Sequence, residues 1–158
     1  MHDEKTISVI GHANPTESGF AISLDPRYAD GLTGLSDFSH AVVLWWASES
    51  DSVDQRSQLV YQKPYTNNPD NVGVFSSRSP SRPNPIGLSV IALQHVDMTN
   101  ATITTPYIDT EPGTPIIDIK PYFPASDRVQ DVKMPTWCDH WPASYEESAS
   151  FDWASEFE

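Results

Sequence analysis

Residues 73–88, GVFSSRSPSRPNPIGL, concentrate the groups best suited to gripping an anion. Arg78 and Arg82 stand among Pro80, Pro83 and Pro85, with Asn84 between the last two prolines. Proline fixes φ and removes a backbone donor, so this spacing forces an irregular loop whose unfolded state is already restricted. A guanidinium on such a backbone offers paired donors in a fixed orientation, which suits a carboxylate or a phosphate. The competing reading is a surface loop with solvated arginines, since binding loops are a subset of irregular ones.

Other reactive groups form weaker patterns. His12, His40, His95 and His140 are far apart, and Cys138, Asp139 and His140 lack the spacing of a zinc site, so no metal is expected. No G-x-S-x-G elbow accompanies Ser77 or Ser79. No GxGxxG follows an apolar run, which argues against a doubly wound nucleotide fold. His40 reads as a satisfied structural histidine, and Trp45 and Trp46 read as core, with one of them facing a ligand as the alternative.

The elements that must position the loop read as β. Stretches 6–12, 20–24, 41–46, 72–75, 88–96, 102–107 and 115–119 are rich in Val, Ile, Thr and aromatics and are bounded by Gly, Pro, Asn and Asp. Ile86, Leu88 and Val90 alternate with small or polar residues, predicting a half-buried strand, while 41–46 is continuously apolar and predicts a strand buried on both faces. Strands at this spacing without regular helices between them indicate a mainly β fold, a small antiparallel barrel or a sandwich. Near the C-terminus, Ser144 and Glu147 have capping-box spacing, and Tyr145, Ala149 and Trp153 follow at i, i+4 and i+8, predicting a helix packed on the β-unit or on a second subunit through Trp137, Trp141 and Trp153. The expected organisation is one domain over 1–158, with a barrel at about 5–127 and a Trp-rich helical tail at about 135–158.

Nine Lys and Arg face 22 Asp and Glu, a formal net charge of −13. Such a body opposes a long polyanion, although a local cationic spot still holds one anionic group. The single Cys138 forms no internal disulfide, and no apolar stretch reaches the length of a membrane span, so a cytoplasmic protein without membrane association is expected.

RSPSRPNPIGLS at 78–89 closely resembles the signature of the TsaA-like (TrmO) family. DPRYADGLTGLSDFSH at 25–40, GTPIIDIKPYFP at 113–124 and ISVIGHANP at 7–15 are similar to further blocks of that family, in the same order. The resemblance implies a small β-barrel, usually dimeric, that binds S-adenosylmethionine and methylates N6 of threonylcarbamoyladenosine at position 37, in the anticodon loop of tRNA. By the same resemblance Arg78 and Leu88 match cofactor-binding positions, as do Asp109, Thr110, Glu111 and Pro112 before Gly113, and Ser48 and Glu49 after the apolar strand. The family usually carries an aspartate where this chain has Pro112, often His-Gln where it has Ser48 and Glu49, and an arginine in the first loop that is missing here.

The cofactor's chemistry distributes these groups. Arg78 suits its carboxylate, Asp109 or Glu111 its ribose hydroxyls or ammonium, and backbone groups near Leu88 and Thr110 its adenine edge. Arg82, Asn84 and Lys120 are assigned to the acceptor, with the loop's own structure as the alternative role of Arg82. A delocalised N6 needs a proton acceptor, for which Asp118 and Asp109 are candidates; Tyr122 either orients substrate or covers the core. Asp118 has a structural pairing with Lys120 as its alternative role. The acceptor is expected to be tRNA, with a small molecule as the alternative, and a non-catalytic nucleotide-binding module as the third reading.

Overall fold

In a computed structural model, which describes residues 3–158, the chain is built from β1 (Gly11–Thr16), β2 (Gly19–Leu24), β3 (His40–Trp46), β4 (Val60–Tyr61), β5 (Val72–Gly73), β6 (Ile86–Ala92), β7 (His95–Asp97), β8 (Thr102–Thr105) and β9 (Thr114–Pro121). Seven strands form one antiparallel sheet in the order β6-β3-β9-β1-β2-β8-β7, and β4 pairs separately with β5. Short helical turns join them, among them α1 (Val53–Arg56), α2 (Pro124–Asp127) and α3 (Tyr145–Ser148).

The two edge strands of the large sheet, β6 and β7, are separated in the chain only by Leu93 and Gln94. Leu93 donates its N–H to Ser39 beside β3, whereas Gln94 donates to Thr104 on β8. The backbone thus switches partners at this corner, and no β6–β7 ladder closes the sheet among the described residues. The mainly β reading holds; the ladder that would join the two edge strands into a closed barrel is not formed among the described residues.

The core forms where strand alternation turns apolar side chains inward. Ala13, Ile22, Ala41, Val43, Ile91, Ile103 and Ile116 are fully buried, and Leu32 and Leu35, from the turns Pro26–Leu32 and Leu35–Asp37, cover one side. Removing an Ile side chain from water contributes about 1.5–3 kcal/mol, so these positions fix the register. In β6 the inward set is the opposite of the one expected. Ile91 enters the core, while Ile86 and Leu88 are 37% and 48% exposed. β3 buries Ala41 and Val43 fully but leaves Val42 and Leu44 half-buried, so only one of its faces meets the core.

Other boundaries moved for local reasons. β1 begins at Gly11 rather than residue 6, because its ladder runs through the hairpin with β2, and Ile7 and Val9 stay about half exposed at 48% and 47%. β4 has no extended apolar run and was not foreseen. The C-terminal helix of three aligned turns is replaced by the single turn α3 and a 3₁₀ turn at Trp153–Glu156. Ser144 does accept from the Glu147 N–H, but the Glu147 side chain takes the Ala143 N–H instead of completing the box. The tail packs through aromatic contacts, with Trp141 meeting both Trp137 and Trp153 edge-on and Cys138 buried among them. Among the described residues no helix is long and apolar enough to cross a membrane.

Candidate functional site

Antiparallel pairing sets the end of β3 beside the start of β6, with Trp46 opposite Ile86, and beside the first half of β9, with Trp45 opposite Ile116. Three connections therefore converge at one end of the sheet: 47–50 after β3, 77–85 before β6, and 109–113 before β9. They enclose a cleft of about 820 Å³. Trp45 lines it and donates Nε1–H to Ser89 Oγ at 3.0 Å. Its ring occupies the space a side chain at Gly87 would need: an added Cβ would come within 2.2 Å of it.

The cleft gathers Arg78, Leu88, Asp109, Thr110, Glu111 and Pro112, with Ser48 and Glu49 on the facing turn and Arg82 and Asn84 beside Arg78. Arg78 is exposed, lines the cleft and makes no hydrogen bond or ion pair among the described residues, so its five donors are free. Arg82 is half-buried, and its Nη1 donates to the carbonyls of Ser77 at 3.0 Å and Ser79 at 3.2 Å. It braces the loop from inside. Asn84 Oδ1 receives Arg56 Nη2 at 3.5 Å.

Sequence reasoning missed that second brace. Arg56 also donates Nε–H to the Pro83 carbonyl at 3.0 Å and pairs with Asp51 at 3.2 Å. It is placed by α1, whose start carries a full capping box between Ser52 and Gln55. The Ser-x-x-Gln spacing was the available signal.

On the other wall, the segment before β9 is tied down by Gly113 N–H to Ala13 O at 2.8 Å and Thr114 Oγ1–H to Glu111 O at 2.6 Å. Thr110 Oγ1 is buried without a hydrogen-bond partner. A buried hydroxyl left unpaired costs about 1–3 kcal/mol, so it is a place for a ligand's polar atom. Tyr107 Oη–H donates to Asp109 Oδ1 at 3.3 Å; burial, and then the Asp109 charge, push the phenol's pKa up. The cleft therefore carries both signs, two guanidinium groups against Glu49, Asp109 and Glu111.

Three expected site residues are not brought to this cleft. β9 rises about 3.3 Å per residue, which carries Asp118, Lys120 and Tyr122 progressively away from its start at Thr114. Asp118 and Lys120 pair at 2.8 Å on the sheet's outer face, a bond that raises the Lys120 pKa. Asp118 lines a separate cavity with Ile10, Phe38 and Ile119. Tyr122 lies edge-on to His40, with ring centres 6.5 Å apart.

Known proteins resemble this chain in sequence and in fold. A family model described as the tRNA-methyltransferase O N-terminal domain matches residues 11–128. An S-adenosyl-L-methionine-binding protein of Archaeoglobus fulgidus is 36% identical over 112 residues, covering 71% of this chain and 75% of that protein. The human tRNA (adenine(37)-N6)-methyltransferase is 38% identical over 104 residues, which is 66% of this chain and 22% of the human protein. A crystal structure of TrmO from Pseudomonas aeruginosa superimposes with a TM-score of 0.63 at 26% identity, covering 83% of this chain and 62% of that one. The chain thus spans less than two thirds of both methyltransferase relatives. With a matched region that contains the sheet and all three walls of the cleft, the chain belongs to the TrmO N-terminal domain family.

Proposed function

We propose that the cleft binds S-adenosylmethionine and that the protein methylates N6 of threonylcarbamoyladenosine at position 37 of tRNA. The observation that carries this reading is the convergence of an unpaired Arg78, a buried unpartnered Thr110 hydroxyl and three carboxylates around one cleft. That donor set fits a zwitterionic, cationic nucleoside: Arg78 takes the carboxylate, and Glu49 and Glu111 serve the ammonium and ribose hydroxyls. Ile86 and Leu88 supply apolar wall, and the backbone near Leu88 and Thr110 meets the adenine edge.

The bound cofactor would supply an activated methyl carbon on a sulfonium, open to in-line displacement. The residues' work is to orient the acceptor and exclude water, which supplies most of the rate for such a transfer. Asp109 is the cleft carboxylate best suited to take the N6 proton: Oδ1 is held by Tyr107, leaving Oδ2 for the acceptor. The reading extends to a cytoplasmic homodimer with the sheet coiled into a barrel. Edge strand β6, which bounds the cleft and has a ladder partner on one side only, supports a second copy beside the cleft.

A small-molecule acceptor is the second reading. It is favoured by the net charge of −13 and by carboxylates outnumbering arginines around the cleft. Calorimetry with S-adenosylmethionine tests both, and absence of binding removes both. Transfer of a labelled methyl group into bulk tRNA supports the first. Unlabelled tRNA beside labelled low-molecular-weight extract replaces it with the second. Donor binding without transfer to either leaves a non-catalytic binding module.

A further inference from the structure

Residues 129–158 lie beyond the family match, yet they grip the segment that leads to the Arg78 loop. Phe157 forms an antiparallel bridge with Tyr65. Backbone bonds run from Thr66 N–H to Glu156 O at 3.0 Å and from Glu158 N–H to Pro64 O at 3.1 Å. Tyr65 is buried; it stacks on Trp137 at 4.3 Å between ring centres and meets Trp141 and Phe157 at 5.9 and 5.5 Å. The Glu156 carboxylate, also buried, accepts from Trp141 Nε1 at 2.9 Å and Asn67 Nδ2 at 3.4 Å and pairs with His140 Nε2 at 2.9 Å.

From Tyr65 the chain runs back to β4, whose Val60 and Tyr61 pair with Gly73 and Val72 of β5. β5 passes through the 3₁₀ turn Val74–Ser76 directly into Ser77 and Arg78. Tyr61 Oη–H donates to the Ser81 carbonyl inside the loop itself. The tail, the 64–66 segment, the β4–β5 ladder and the arginine loop are therefore one continuous bonded path.

We propose that the C-terminal tail is a positioning device for Arg78, with Phe157 and Tyr65 as its positioning residues. Seating the tail fixes the 60–66 segment, which fixes both ends of the loop that presents the guanidinium. The inference rests on the cleft being the donor site. Coupling of this kind is reciprocal, so a ligand that uses the ordered loop also stabilises the seated tail.

Amide hydrogen exchange on the full chain, with and without S-adenosylmethionine, tests it. The Thr66 and Glu158 amides, exchanging by local opening of the tail ahead of the β2 core amides, are expected to exchange several-fold more slowly in the bound state, whereas a tail uncoupled from the cleft keeps its local opening rate. Phe157→Ala is expected to weaken donor affinity about tenfold, within the usual range of intramolecular coupling, and Phe157→Tyr to restore it. A wild-type chain that binds no donor overturns the donor-site reading and this inference with it. Donor binding without protection of those two amides overturns the inference alone. Should Phe157→Ala fail to fold, the wild-type exchange result decides.

Discussion

Arg78 and Arg82 sit four residues apart in one loop and do different work. Arg78 keeps its donors free at the cleft, whereas Arg82 spends Nη1 on two carbonyls of its own loop. Arg78→Ala is expected to weaken S-adenosylmethionine binding by about 1.5–3 kcal/mol, the scale of a charged hydrogen-bonded pair, without moving the urea midpoint. Arg82→Ala is expected to lower that midpoint, and to reduce binding only as the loop loosens. Calorimetry and urea titration of both variants separate the roles; equal losses in both measurements would contradict the division. The sequence could name both arginines, because the proline spacing and the family signature mark the loop. It assigned them different roles, Arg78 to the cofactor and Arg82 to the acceptor or the loop's structure, but could not choose between the last two, because an irregular loop has no period from which to read which side chain turns inward. Asp118, Lys120 and Tyr122 failed to reach the cleft for the opposite reason: a regular strand carries its residues away at a fixed rise.

Among the elements, β3, β8 and β9 were read nearly to their ends, since β-branched runs bounded by turn residues carry their own punctuation. Parity in β6 was not, because Gly87 and Ser89 are the small partners of Trp45, a fact held on a neighbouring strand. The tail misled in a similar way. Its aromatic spacing suits a helix, but the partner it meets, Tyr65, is distant in sequence. Glu156 gives this element a pH signature. Hydrogen bonds from His140 and then Trp141 hold its carboxyl below the usual range. A lowered folded-state pKa adds stability that is complete above the unfolded value of about 4.3 and is lost as pH falls through the folded value. Tryptophan fluorescence of the tail is therefore expected to change cooperatively in acid below that point. Glu156→Gln should flatten that limb; an unchanged acid transition would show that the carboxylate's bonds do not hold the tail.

At the scale of the molecule, strand density and punctuation announced the antiparallel β class, while the strand order came from long-range pairing that a local pattern does not carry. The site was legible as separate blocks, and topology assembled them: hairpin-like reversals placed the turn after β3 and the loops before β6 and β9 at the same end. The arrangement also gives Cys138 an unplanned use. Burial raises its pKa and shields the sulfur while the aromatic clamp is closed. The lone thiol is thereby a built-in stopwatch. Its alkylation rate under a gentle reagent counts how often the clamp springs open, and saturating donor should slow the tick.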